Sequence, residues 1–78
     1  MRKYRVVEIV TPEGTVYAVE RRILGMFWVQ LDRYNNLLVV NRADFGIYDD
    51  KEIAQDAMAQ FISEEEFRHA IANNRRVI

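Results

Sequence analysis

The run Ile23-Leu24-Gly25-Met26-Phe27-Trp28-Val29-Gln30-Leu31 restricts the folds open to this chain more than any other stretch. It is the longest apolar run, it holds the only Trp, and hairpin signals flank it on both sides. It is far shorter than the ~20 apolar residues of a membrane-spanning helix. From Met26 onward it alternates, with Phe27, Val29 and Leu31 on one side and Met26, Trp28, Gln30 and Asp32 on the other. That period of two is the signature of a strand with one buried face. Gly25 marks a bend or bulge before this strand, which is expected over residues 26–33.

Residues 4–10 and 15–22 are rich in Val, Ile and Tyr and read as two earlier strands. Between them, Pro12 suits the first central position of a type I turn and Gly14 the left-handed residue of a three-residue loop. That loop sets Thr11 opposite Thr15, Ile9 opposite Tyr17 and Val7 opposite Val19. The core face then carries Val7, Ile9, Tyr17 and Val19. The other face carries Tyr4, Val6, Val10, Val16 and Ala18 among Glu8, Glu20 and Arg22. After the third strand, Asn35-Asn36 suits a two-residue primed turn, because Asn tolerates positive φ. A fourth strand is expected over residues 37–42, with Leu31 opposite Val40. Residues 43–48 are less regular, with Phe45 and Ile47 plugging the core.

The pattern then changes to the helical period. Asp49 can cap a helix starting at Asp50, with Glu52 as the returning half of a capping box. Ile53, Ala54, Ala57, Met58 and Phe61 form one stripe, and Lys51, Glu52, Asp56 and Gln60 face water. Ser63 with Glu66 repeats the cap, so a second helix is expected to run to about Ala72, with Phe67, Ala70 and Ile71 apolar. Asn73-Asn74 is a stop, and residues 75–78 form a tail or a last edge strand.

A sheet with one apolar face and a helix with one apolar stripe bury each other most simply as two layers. The expected fold is therefore a single α+β domain over residues 1–78. It is a four-stranded antiparallel β-meander covered on one face by one or two C-terminal helices (ββββαα). The expected core is Val7, Ile9, Tyr17, Val19, Phe27, Val29, Leu31, Val40, Ile53, Ala57, Met58, Phe61 and Phe67. The hairpin, the strand "RRILGMFWVQLD" and the stretch "FGIYDDKEIAQDAMAQFI" together resemble small uncharacterised phage and mobile-element proteins. In these an aromatic strand precedes an aromatic-Asp helix start and an Ala-rich helix. The insertion between Asp32 and Phe45 departs from that pattern. The resemblance implies a phage-like origin and assigns no residue a role.

Several chemistries are poorly provisioned. Without cysteine there is no disulfide, thiolate nucleophile or Cys-ligated zinc. That absence, with no signal-peptide core after the basic N-terminus, points to the cytoplasm. The one Ser and one His, Ser63 and His69, stand six residues apart without an evident acidic orienter or oxyanion site. Asp49-Asp50 and Glu64-Glu65-Glu66 are explained by helix capping and the helix dipole. A metal site from Asp49, Asp50, Glu52 and His69 would require the two helices to bring them together, and the spacing matches no known motif. No catalytic, cofactor-binding or metal-ligating residue is assigned, and no cofactor is expected.

Binding is the better reading. With Met26 and Trp28 on the outer sheet face, Arg21 and Arg22 at its rim and Tyr4 nearby, the chain carries the residue types that anchor protein interfaces. The expected function is a small non-enzymatic protein-interaction module, a phage-type modulator of a host protein. Open sheet edges could also pair with a second copy. The alternative is single-stranded nucleic-acid binding by the same aromatic and basic face, disfavoured by a pI near 5.8. Charge is uneven, +3 over residues 1–42 and −4 over 43–78, so the acidic helical half could itself be a contact that imitates nucleic acid.

Overall fold

In the computed structural model, which describes residues 3–38, 46–74 and 76–77, the first hairpin is the longest paired unit. Its strands are β1 (Tyr4–Thr11) and β2 (Gly14–Ile23). Thr11 pairs with Gly14, so the loop holds two residues, Pro12 and Glu13, where three were expected. The Thr11 side chain explains the tighter turn. Its hydroxyl donates to the Gly14 carbonyl at 2.6 Å and accepts from the Glu13 N–H at 3.2 Å. A register shift of one residue moves every side chain of a strand to the opposite face. Val6 therefore pairs with Val19, and Val7 with Ala18. Tyr4 and Val6 join the face that carries Val19, while Val7 and Ile9, expected in the core, lie on the other.

β3 (Phe27–Gln30) is antiparallel to β2, with Arg21 opposite Val29 and Arg22 opposite Trp28. The turn between them places Leu24 at φ 55° and Gly25 at φ 71°, closed by the Met26 N–H donating to the Ile23 carbonyl at 3.1 Å. Left-handed backbone costs a non-glycine residue about 1–2 kcal/mol. Leu24 is also among the most exposed side chains, so little packing offsets that strain. Leu24→Gly is expected to stabilise the fold by about 1 kcal/mol, after the larger unfolded-state entropy of Gly is subtracted. A urea-unfolding midpoint that falls or stays put would contradict the strain.

Beyond β3 the chain turns on Asp32. Its Oδ1 accepts from the Tyr34 N–H at 2.8 Å and the Asn36 N–H at 2.9 Å, and Asn35 sits at φ 63°. This side-chain-capped loop replaces the expected two-residue turn. Leu31 consequently bridges to Leu37, not Val40, and the Leu38 N–H donates to the Gln30 carbonyl at 3.0 Å. The rest of the expected fourth strand, residues 39–42 with Val40, lies outside the described residues, as does Phe45, expected to plug the core from the segment that follows.

The fourth strand is β4 (Ile47–Tyr48), and it pairs with β2 at Tyr17 and Ala18. Among the described residues the sheet is thus four-stranded and antiparallel, and its strands do not follow one another as a meander. β2 is central, with β1 on one side and β3 and β4 following one another along the other. Paired opposite Ala18, Ile47 lies on the face that Val7 shares, so it does not plug the core as expected.

One helix, α1 (Lys51–Asn73), covers the sheet. Asp50 caps it, accepting from the Glu52 N–H at 2.8 Å, one residue later than the cap expected at Asp49. Ser63 does not start a second helix. No Gly or Pro interrupts residues 51–73, and the glutamates after Ser63 are good helix formers, so propagation wins over re-capping. Tyr4, Val19, Leu31 and Phe61 form the buried cluster, flanked by Val6, Tyr48, Ala57, Met58 and Ile62. A single straight helix can turn only one stripe inward. Ile53 and Ile71 lie about 80° and Phe67 about 120° round the axis from Phe61, all on the same side. They are 55 %, 48 % and 67 % exposed. Ile53 and Phe67 are therefore not core residues. Phe27 is also largely exposed, at the start of β3. No helix among the described residues is long and apolar enough to cross a membrane.

Candidate functional site

Strand register alone assembles a compact group on the sheet face away from the helix. Arg5 stands opposite Glu20, Glu20 opposite Gln30, and Arg22 opposite Trp28. Cross-strand neighbours are close enough for long side chains to interact diagonally. The Arg5 Nε donates to Glu20 Oε1 at 2.7 Å, and its guanidinium lies 4.0 Å from the Trp28 ring centroid. Arg22 approaches the same ring at 5.9 Å. Two cations therefore share one indole face system, an arrangement that contributes about 0.5–2 kcal/mol per close pair depending on desolvation. The half-buried Trp28 is fixed by Arg5, and Arg5 is fixed by Glu20. Beside this group, Val7, Ala18 and Ile47 line up across the strands, and Ala18 is completely buried.

The face ends at the β2–β3 turn, where Leu24, Met26 and Phe27 are 84 %, 75 % and 58 % exposed. Three large apolar side chains within four residues, at the tip of a closed hairpin, form a projecting apolar knuckle. Its neighbours in register are Ile23, Arg22 and Trp28.

The residues expected to bind are not all brought together. Trp28 and Arg22 share the outer face, and Met26 stands at the exposed tip. Arg21, one residue from Arg22, points to the helix side as strand alternation requires. Tyr4 is a core residue, 4 % exposed, and is corrected from the binding set; the one-residue register shift of β1 is the reason. Arg5 takes its place beside Trp28.

On the helix side, Lys3, Tyr4, Met58, Ile62, Glu65 and His69 line an open groove of about 690 Å³. Lys3 is ion-paired with Glu65, and His69 Nε2 lies 3.9 Å from the same carboxylate. The Tyr4 hydroxyl is buried without completing a hydrogen bond. Burial pushes the Glu65 carboxyl up, but Lys3, the adjacent Tyr4 hydroxyl and the Arg21 charge outweigh it, so Glu65 titrates below the ordinary glutamate range. A carboxyl lowered in the folded state stabilises above its unfolded pKa, and that contribution is lost as pH falls through the folded pKa. Glu65→Gln is thus expected to lower stability at neutral pH, and the difference from the parent should close as pH drops below the usual glutamate value. Parallel stability curves for the two chains across that window would remove Glu65 from the account. No sequence signal announces this pair, because its partners are 62 residues apart.

Ser63 and His69 lie on one helix, about 120° apart round its axis and about 9 Å apart along it, so they cannot meet. The same continuous helix separates Asp50 from His69 by about 28 Å of rise. Among the described residues no three His, Asp or Glu side chains converge on a point that could hold a metal ion. Comparison with family models, curated proteins and solved structures finds no match to this chain.

Proposed function

We propose that this chain is a small non-enzymatic protein-interaction module whose contact surface is the β2–β3 end of the sheet. The observation that carries the reading is the apolar knuckle of Leu24, Met26 and Phe27 beside Trp28, Arg22 and Arg5. Interfaces concentrate their energy in aromatic, Met and Arg side chains held on a rigid support, with charge at the rim. Here the hairpin is the support, and the Arg5–Glu20 bond restrains the rim before any partner arrives, which reduces the entropy cost of docking. Leu24 held at positive φ is consistent with a tip kept for display, since strained backbone tends to accompany functional segments. The partner is a protein, and the resemblance of the aromatic strand and Ala-rich helix to phage and mobile-element proteins suggests a modulator of a host protein.

The second reading is single-stranded nucleic-acid binding, favoured by the Arg5 and Arg22 guanidinia around Trp28. It faces a cost the protein reading avoids. A base stacking on Trp28 must first displace Arg5 from both the ring and Glu20.

Capture from host lysate compared across the parent chain, Met26→Asp and Trp28→Ala tests the first reading. A specific protein lost with Met26→Asp supports it, and identical capture by all three sinks it. Titration of Trp28 fluorescence with an oligonucleotide at low and high salt addresses the second. Quenching that weakens with salt is the nucleic-acid result, and an unchanged spectrum eliminates that reading.

A further inference from the structure

We infer that the open edge of β1 pairs with the same strand of a second copy, antiparallel about a two-fold axis at Val7, so that two sheets become one. β1 lies across β2 from β3 and β4, so this edge is separate from the β2–β3 tip. Closure of a two-residue loop by Thr11 and Gly14 makes the odd-numbered residues of β1 the hydrogen-bonded partners of β2. The Arg22 N–H, donating to the Lys3 carbonyl at 2.8 Å, keeps the same order at the other end. The N–H and C=O groups of Tyr4, Val6, Glu8 and Val10 therefore point away from β2, and no bond among the described residues takes them up. Exposed edges are normally blunted by Pro, Lys or a bulge. β1 runs eight residues in unbroken register with none of these within it.

The flank of the edge selects the partner. The groove between Tyr4, Met58 and Ile62 takes no residue of β2 into its wall, whereas the recess on the other side of Tyr4 includes Arg21. The groove therefore opens toward the β1 edge, and an added strand places in it the side chain opposite Tyr4. In a second copy centred on Val7 that residue is Val10, which is 77 % exposed in the single chain. The partner's Glu8 then stands opposite Val6, in the recess that Val6 shares with Lys51. Neither Glu8 nor Lys51 has an ion pair among the described residues, so the pairing brings opposite charges together. On the outer face Val7 meets the partner's Val7, and the row of Val7, Ala18 and Ile47 continues across the axis.

The neighbouring registers lack this fit. A two-fold axis normal to the sheet keeps like faces together and steps along β1 by whole residues. Centred on Val6, it sets the partner's Glu8 opposite Tyr4, at the groove that Glu65 and Glu66 also line. Centred on Glu8, it sets the two Glu8 carboxylates directly opposite each other, which is destabilising. The Val7 register retains roughly eight backbone hydrogen bonds, two for each hydrogen-bonded pair.

Sedimentation velocity from micromolar to millimolar concentration is expected to show a reversible rise from 9.3 kDa toward twice that mass. Over the same range, hydrogen exchange should slow at the amides of Val6, Glu8 and Val10. Val10→Glu, at an exposed position where circular dichroism should show the fold intact, is expected to abolish the rise. The chain has no cysteine, so engineered thiols read the axis. Val7→Cys should cross-link to itself on oxidation, because a non-hydrogen-bonded antiparallel pair brings its side chains close. Ile9→Cys, opposite the partner's Arg5, should not. A monomer at every concentration, a dimer indifferent to Val10→Glu, or cross-linking by Ile9→Cys equal to that by Val7→Cys would each overturn the inference. Edge amides protected only after an unrelated β-strand peptide is added would assign the edge to a foreign strand and overturn it as well.

Discussion

Phe61→Ala is expected to bring this domain to the edge of unfolding. Phe61 is 3 % exposed and packs into the cluster with Tyr4, Val19 and Leu31. Truncating a buried Phe costs about 3–5 kcal/mol, the lost transfer energy plus the cavity left behind. At the usual stability per residue, a domain of this length has only roughly 4–12 kcal/mol in all. Phe67→Ala, six residues along the same helix, is expected to cost less than about 0.5 kcal/mol, because its side chain already faces water. Thermal unfolding of the two variants side by side measures the contrast. A larger loss at Phe67 than at Phe61 would mean that the helix is rotated from the orientation described, and equal losses would contradict the burial of Phe61 over Phe67.

The second large effect is expected at Gly46. A Cβ placed there meets the Leu31 backbone carbonyl oxygen, with Leu38 Cδ1 at 2.8 Å and Gln30 Nε2 at 3.0 Å. The Leu side chain can yield, but the carbonyl cannot easily. Leu31 is tied by its N–H to the Val19 carbonyl at 2.8 Å and bridges to Leu37. Relief requires β4 to slide away from β2, loosening the Tyr17–Tyr48 and Ala18–Ile47 pairs. Gly46→Ala is expected to cost about 3 kcal/mol, at the upper end for overpacking. Gly25→Ala provides the comparison. Its Cβ meets open space and only the positive φ is penalised, so about 1 kcal/mol is expected. Denaturant midpoints that place the two substitutions level would show that Gly46 is not wedged against Leu31.

Much of the chain was legible before any coordinates. The hairpin of residues 4–22, the strand holding Trp28 and the helix after Asp50 follow from alternation, turn residues and a capping aspartate. Register was not. Pro12 and Gly14 suit both two- and three-residue loops, and the choice rests on the Thr11 hydroxyl, whose two bonds appear only once the turn is closed. That single residue moved Tyr4 from a binding surface to the core and sent Val7 and Ile9 outward. The candidate site was partly legible: Trp28 and Arg22 lie on the face where alternation puts them, whereas Met26, expected as the first residue of that strand, stands in the turn before β3. Arg5 as the lid on Trp28 was not legible, because its contact crosses two strand pairings.

The amino-acid order determined the first three strands, that the sheet is antiparallel, and that a helix following Asp50 covers it, because periodicity and turn chemistry act over a few neighbouring residues; it left open whether the helical part is one helix or two. The tertiary structure decided which faces those strands turn inward, that β4 pairs beside β2, and that Ile53, Phe67 and Ile71 stay outside. These outcomes depend on how distant surfaces fit. A side chain's burial is settled by what reaches it across the fold, and several arrangements of the same local pattern differ only there.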